Sequence, residues 1–78
     1  LFDATIEING IDRKGMLLDV SKVISDQLGI NIHKVTISSD NGIFDGTIEL
    51  RVHDREEVKT IMNQLRNIDD LQEVQRIL

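Results

Sequence analysis

Apolar and polar residues alternate at the start of the chain: Phe2, Ala4, Ile6 and Ile8 share one parity, and Asp3, Thr5, Glu7 and Asn9 share the other. A period of two predicts a strand from about Phe2 to Asn9 with one face buried. The period then changes. Leu17, Val20, Ile24 and Leu28 follow in steps of three and four with Val23 on the same side, which predicts a helix from about Lys14 to Leu28, stopped by Gly29 as a C-cap. Between strand and helix, Gly10 and Gly15 bracket a short run carrying both charge signs. The backbone can turn tightly there and open the helix with its first amides free, a setting that attracts anions and carboxylates. Turn geometry alone accounts for two such glycines equally well.

The next segment, Ile30 to Ser39, is rich in β-branched residues, but its apolar parity changes between Ile32 and Val35, which implies either a bulge or burial on both faces. Asp40-Asn41-Gly42 is a strong turn signal and predicts that the flanking segments pair antiparallel. From Phe44 onward, Gly46, Ile48, Leu50 and Val52 lie on one side, and Thr47, Glu49, Arg51 and His53 on the other. That is a half-buried strand. Asp54 then stands as an N-cap with Glu57 three residues later, close to a capping box. Val58, Ile61, Met62 and Leu65 mark one face of a second helix that ends around Asn67, Asp69-Asp70 forms a turn, and Val74 to Leu78 supplies a short last strand.

The order strand, helix, strand, strand, helix, strand predicts an α+β fold, the ferredoxin-like βαββαβ sandwich. Its four-stranded antiparallel sheet carries both helices on one face, and the second and fourth strands are its edges. Residues 1–78 are expected to form a single domain, since a chain of this length buries only about 60% of its unfolded surface and has one core at most. Leu1 in place of an initiator Met, with a strand beginning almost at once, suggests a piece of a longer chain.

Composition removes several function classes. The net charge of −5 argues against the positive field of general nucleic-acid binding, so no DNA partner is expected. No cysteine is present, which eliminates disulfides, thiolate metal sites and cysteine nucleophiles and fits a reducing compartment. With no signal peptide and no apolar run long enough to cross a bilayer, a cytoplasmic setting without membrane contact is expected.

Catalytic equipment is missing as well. Ser21, Ser25, Ser38 and Ser39 fall in helical or strand patterns without an evident His partner, and His33 and His53 lack the spacing of a helical metal motif. The outward sheet positions hold Asp3, Glu7, Glu49 and Arg51 rather than the aromatics on which an RNA-binding sheet of this topology stacks bases. Asp3, Glu7 and Glu49 are read as solvated or paired with Arg51 or Lys across strands. Met16 and Met62 fit core positions. No cofactor or metal is expected.

The second strand is more telling. It is a predicted edge carrying Ile30, Ile32, Val35, Thr36 and Ile37, with only His33 and Lys34 as guards against pairing. Such an edge is suited to adding to the sheet of a second copy, giving a homodimer through the second strand. The turn around Asp12 would then lie close to the partner's strand start near Asn31, forming a cleft of backbone amides, a carboxylate and a carboxamide that suits a small zwitterion.

Gly-Ile-Asp-Arg-Lys-Gly-Met-Leu-Leu-Asp-Val at Gly10 to Val20, with Gly-Ile-Asn-Ile from Gly29 to Ile32, resembles the corresponding motifs of an ACT domain. More narrowly, these residues and the stretch Asp40 to Asp54, with its Gly-Ile-Phe-Asp-Gly and Val-His-Asp, resemble the C-terminal ACT domain of RelA/SpoT-type GTP pyrophosphokinases, the (p)ppGpp synthetase/hydrolases of the stringent response. The resemblance spans essentially the whole chain. It implies a regulatory module that binds an amino acid, branched-chain ones favoured, through Gly10, Ile11, Asp12, Arg13, Lys14, Gly15, Met16 and Leu17, with Asn31 and Ile32 completing the site. It further implies that this module relays amino-acid or ribosome status to catalytic domains of the same protein, without activity of its own. Lys14 stands where many ACT turns have proline. The alternative is a docking domain that contacts the ribosome or its own catalytic domains and binds no metabolite, with Arg13, Lys14, Lys34 and Arg51 as contact residues.

Overall fold

A computed structural model describes residues 1–26 and 30–78. Along the chain it has β1 (Phe2–Ile11), α1 (Met16–Ser25), β2 (Asn31–Asp40), β3 (Ile43–Val52), α2 (Arg55–Arg66) and β4 (Leu71–Arg76). The strands form one antiparallel sheet in the order β2-β3-β1-β4, with β2 and β4 as edges. This is the expected ferredoxin-like βαββαβ arrangement.

Hairpin chemistry sets the register of β2 against β3. Asp40 pairs with Ile43 across the two-residue loop Asn41-Gly42, and both loop residues have positive φ (52° and 79°), the turn whose twist matches the flanking strands. Farther along, Ile32 faces Leu50 while Lys34 faces Glu49, so His33 is the extra residue of a β-bulge. The bulge explains the change of parity in the sequence. Ile32, Val35 and Ile37 all reach the inner face of the sheet.

That inner face is aliphatic but for Phe44, and mostly sealed. Ala4, Ile6 and Ile8 of β1 join Phe44, Ile48, Leu50 and Val52 of β3, Met16 and Val20 of α1, and Val58, Ile61 and Leu65 of α2 in one cluster, with Met62 packed against it. α2 begins as its sequence predicts. Asp54 Oδ1 accepts a hydrogen bond from the Glu57 amide at 3.1 Å, while the Glu57 carboxylate accepts from the His53 amide, one residue earlier than in a standard capping box.

Three expectations change. The last strand begins at Leu71 rather than Val74, because a register shift opposite Asn9 and Gly10 makes Gln72 an extra residue and turns both Leu71 and Val74 inward. A spacing of three hides such a strand from a search for period two. α1 starts at Met16, not Lys14, and its buried face runs through Met16 and Val20, leaving Leu17 54% exposed. Leu28 on that face and the Gly29 stop lie outside the described residues.

Candidate functional site

The loop from β1 to α1 is held by two glycines with different tasks. Gly10 is buried, and a Cβ there would stand 2.2 Å from the Asp70 carbonyl oxygen and 2.8 Å from Leu71 Cα. Only a residue without a side chain lets β1 pass under the α2–β4 turn. Gly15 is the N-cap of α1 at φ +85°, a left-handed conformation costly for other residues, and it offers no side chain to cap the helix. The Met16 amide bonds to the Arg13 carbonyl and the Asp19 amide to the Gly15 carbonyl, but Leu17 and Leu18 lie in the first turn, where the helix provides no acceptor for their N–H groups.

Beside this helix start lies a cleft of about 610 Å³. Met16, Leu17, Leu18, Ile37 and Phe44 make its wall apolar, and Asp12, Arg13, Ser21 and Ser39 supply polar groups. It is bounded by the N-terminal turn of α1, the inner face of β2 near its hairpin end, and one residue of β3.

The two charged turn residues are fastened in opposite directions. Asp12 faces the hairpin: its amide donates to the Gly42 carbonyl at 2.9 Å, and its carboxylate accepts from the Ser39 hydroxyl. Arg13 faces the α2–β4 turn. Its Nη2 donates to Asp19 Oδ2 at 2.7 Å and to the Asp69 carbonyl at 2.8 Å, its Nη1 to the Lys14 carbonyl at 3.1 Å, and its Nε lies 3.3 Å from Asp70 Oδ2. The hydrogen bond to Asp19 is the largest cause that holds this guanidinium above its ordinary pKa; the charges of Asp19, Asp70 and Asp69 add to it, against partial desolvation.

Of the ten residues singled out in the sequence, Asp12, Arg13, Gly15, Met16 and Leu17 line the cleft. Gly10 shapes the turn from beneath, and Ile11 pairs with Ile43 on the outer face, 47% exposed. Lys14 is exposed. Asn31 and Ile32 are at the other end of β2, opposite Arg51 and Leu50, so one chain does not bring them to the cleft. Ser39 and Phe44 were legible in principle, because a two-residue Asn-Gly loop pairs them by register. Ile37 lies on a pattern that core packing explains as readily, and Leu18 and Ser21 stand off the apolar period of the helix, with no signal of their own. The Asp69-Asp70 partnership with Arg13 has no sequence signal, being a contact between residues 56 and 57 positions apart.

On the outer face the cross-strand reading of the carboxylates holds for Asp3, whose Oδ1 accepts from Arg51 Nε at 3.0 Å. That hydrogen bond, reinforced by the Arg51 charge, keeps the Asp3 carboxyl below its usual pKa. Glu7 accepts from the Gln75 amide instead. His33 and His53 are exposed. Among the described residues no group of three or more acidic or histidine side chains could hold a metal ion, and no helix is long and apolar enough to cross a membrane.

The family model described as ACT domain matches residues 1–76. Among solved structures, the chain is similar to the crystal structure of the ACT domain from the GTP pyrophosphokinase of Chlorobium tepidum, with 30% identity over 97% of each chain and a TM-score of 0.91. It also resembles the small subunit of acetolactate synthase from Thermotoga maritima, at 18% identity and a TM-score of 0.82, over all of this chain and 48% of that one. A homoserine dehydrogenase from Thiobacillus denitrificans shares the fold at 18% identity and a TM-score of 0.66, over 97% of this chain and 17% of that one. No curated protein matches the sequence significantly.

Proposed function

This chain belongs to the ACT domain family, and we propose that it is the amino-acid-sensing regulatory domain of a GTP pyrophosphokinase, responding to a small aliphatic amino acid at the cleft beside α1. The observation that carries this reading is the juxtaposition of an apolar wall with an uncapped helix start. Leu17, Leu18, Ile37 and Phe44 suit a branched side chain. The Leu17 and Leu18 amides, at the positive end of the helix dipole, suit a carboxylate, and Asp12 suits an ammonium group. The likeness to the Chlorobium domain supports the parent enzyme.

The site is completed by a second copy. β2 presents an unpaired edge, and none of its ten residues is buried. Antiparallel addition of two β2 edges runs the Asn31 end of one strand beside the Ser39 end of the other, which brings the partner's Asn31 and Ile32 toward the Asp12 turn. The ligand then favours the dimer because the dimer alone offers both halves of the site, and this differential affinity is what regulation requires. The signal passes to catalytic domains of the parent protein or to its ribosome contact.

The docking reading is favoured by a different feature, since Leu18 is 71% exposed and Leu17 54% in adjacent positions of one helix, a surface suited to a protein partner. An amide-resolved NMR titration with L-valine, L-leucine and L-isoleucine separates the two. Saturable shifts at Gly10 to Leu17 and at Asn31 to His33 are expected. No response to any of the three in a folded sample would sink the sensor and leave docking, to be sought as a salt-sensitive interaction with ribosomes.

A further inference from the structure

Arg13 lines the cleft, yet its guanidinium is committed to the far side of the turn. We propose that Arg13 is a positioning residue that clasps the cleft's turn to the α2–β4 turn, so that a change at either one is felt at the other. The proposal deepens the ligand-site reading, because the clasp would regulate that same cleft, but the coupling itself is testable without any ligand.

The geometry makes the coupling mutual. Toward α1 Arg13 bonds the Lys14 carbonyl next to the Gly15 cap and the Asp19 carboxylate in the first turn of the helix. Toward the other side it bonds the Asp69 carbonyl twice, from Nε at 3.2 Å and Nη2 at 2.8 Å, and faces the Asp70 carboxylate. The two turns are also joined through the backbone. The Ile11 amide donates to the Asp70 carbonyl at 2.9 Å, and the same oxygen occupies the space above Gly10. Asp70 itself is held at φ +70°, a strained state for a residue with a Cβ that persists only where its surroundings hold it.

One forked cation therefore serves two carboxylates and two carbonyls. With 26% of its side chain exposed, and with Nη1 3.6 Å from where a Cβ on Gly15 would stand, the guanidinium is within reach of a carboxylate arriving at the helix start. Four of its five N–H donors are already engaged, so a carboxylate that takes two of them side by side withdraws at least one from a present partner. Occupancy of the cleft then loosens the turn that begins β4, and a disturbance of that turn shifts Arg13 and with it the Gly15 cap.

Asp70→Asn is the test, because asparagine tolerates the left-handed backbone while losing the charge that Arg13 faces. In the 78-residue chain the variant is expected to move the amide resonances of Gly15, Met16 and Leu17. In an Arg13→Gln background the same substitution should stop at Asn67 to Ile11, and Arg13→Lys, which keeps charge without the fork, should restore only part of the spread. Equal spread in both backgrounds, or no spread in the parent chain, overturns the proposal. Should Arg13→Gln fail to fold, Asp19→Asn tests the reverse direction: faster amide exchange at Ile11 and Leu71 is expected, and unchanged exchange rejects the clasp. Where L-valine binds, Asp70→Asn should alter its Kd several-fold. If L-valine does not bind, the sensing reading alone fails and the ligand-free result still decides the clasp.

Discussion

β2 and β3 contribute the same kind of residue to the same face of one sheet, and they meet opposite fates. Phe44, Ile48, Leu50 and Val52 of β3 are at most 2% exposed, whereas Val35 of β2 is 40% exposed and Ile32 and Ile37 are only half-buried. Hydrophobicity does not distinguish the two sets. The cover does: the buried faces of the two helices close over β1, β3 and β4, and the sheet is one strand wider than that cover. What remains is an apolar strip along an edge that, among the described residues, has no neighbouring strand on one side. The cleft beside α1 opens onto that strip, so the unsealed part of the core and the candidate site are a single feature.

The contrast can be broken most severely inside the cover. Leu50→Ala should cost about 3 kcal/mol in urea unfolding, as expected for a fully buried leucine whose neighbours cannot collapse onto the void. A loss much below 1 kcal/mol would mean that the sealed side is as loosely packed as the open one. Next in size is Gly10→Ala. The intruding methyl meets backbone rather than a pliable side chain, so a loss of about 2 kcal/mol is expected by the same measurement, with amide shifts centred on Asp70 and Leu71.

On the open side the expected effects are smaller and of another kind. Val35→Lys should change monomer stability by no more than about 0.5 kcal/mol, since the position is already part solvated. It places a charged guard on the edge and should abolish self-association in sedimentation. A dimer that survives this change has its interface elsewhere. The smallest effect lies on the outer face. Because Arg51 lowers the Asp3 pKa in the folded chain, the pair stabilises fully above the unfolded value of about 3.9 and loses its contribution as pH falls through the folded value. Arg51→Gln should return the Asp3 titration, followed by carboxyl NMR, toward the ordinary range and flatten the acid dependence of stability in that window. An Asp3 titration that does not move would show that the crossing hydrogen bond is not formed in solution.

Much of the fold was legible because its signals are local. The period of two in β1 and β3, the Asn-Gly loop and the Asp54 cap each depend on residues close in sequence, and each stands where its chemistry demands. Even the bulge at His33 was visible as a change of parity. β4 was misplaced because Leu71 and Val74 face inward at a spacing of three, which depends on a register shift against β1 and not on the strand itself. For the candidate site, the glycine-bracketed turn was readable, and half of the residues singled out there do line the cleft. The helical period puts Leu17 on the buried face, whereas in the structure it borders the cleft and only Met16, expected in the core, points inward at that turn.

By itself, the sequence determined the order and type of the six elements, the aliphatic core and the turn that opens α1, because period, caps and positive-φ residues act over a few positions. Tertiary structure alone decided how far the helix layer reaches across the sheet, and hence that an apolar wall stays open beside an uncapped helix start. It also decided the partners of the two charges in that turn, Ser39 for Asp12 and Asp69 with Asp70 for Arg13. Those pairings join segments remote in sequence, and only the packing of β1 beneath the α2–β4 turn brings them within hydrogen-bonding distance.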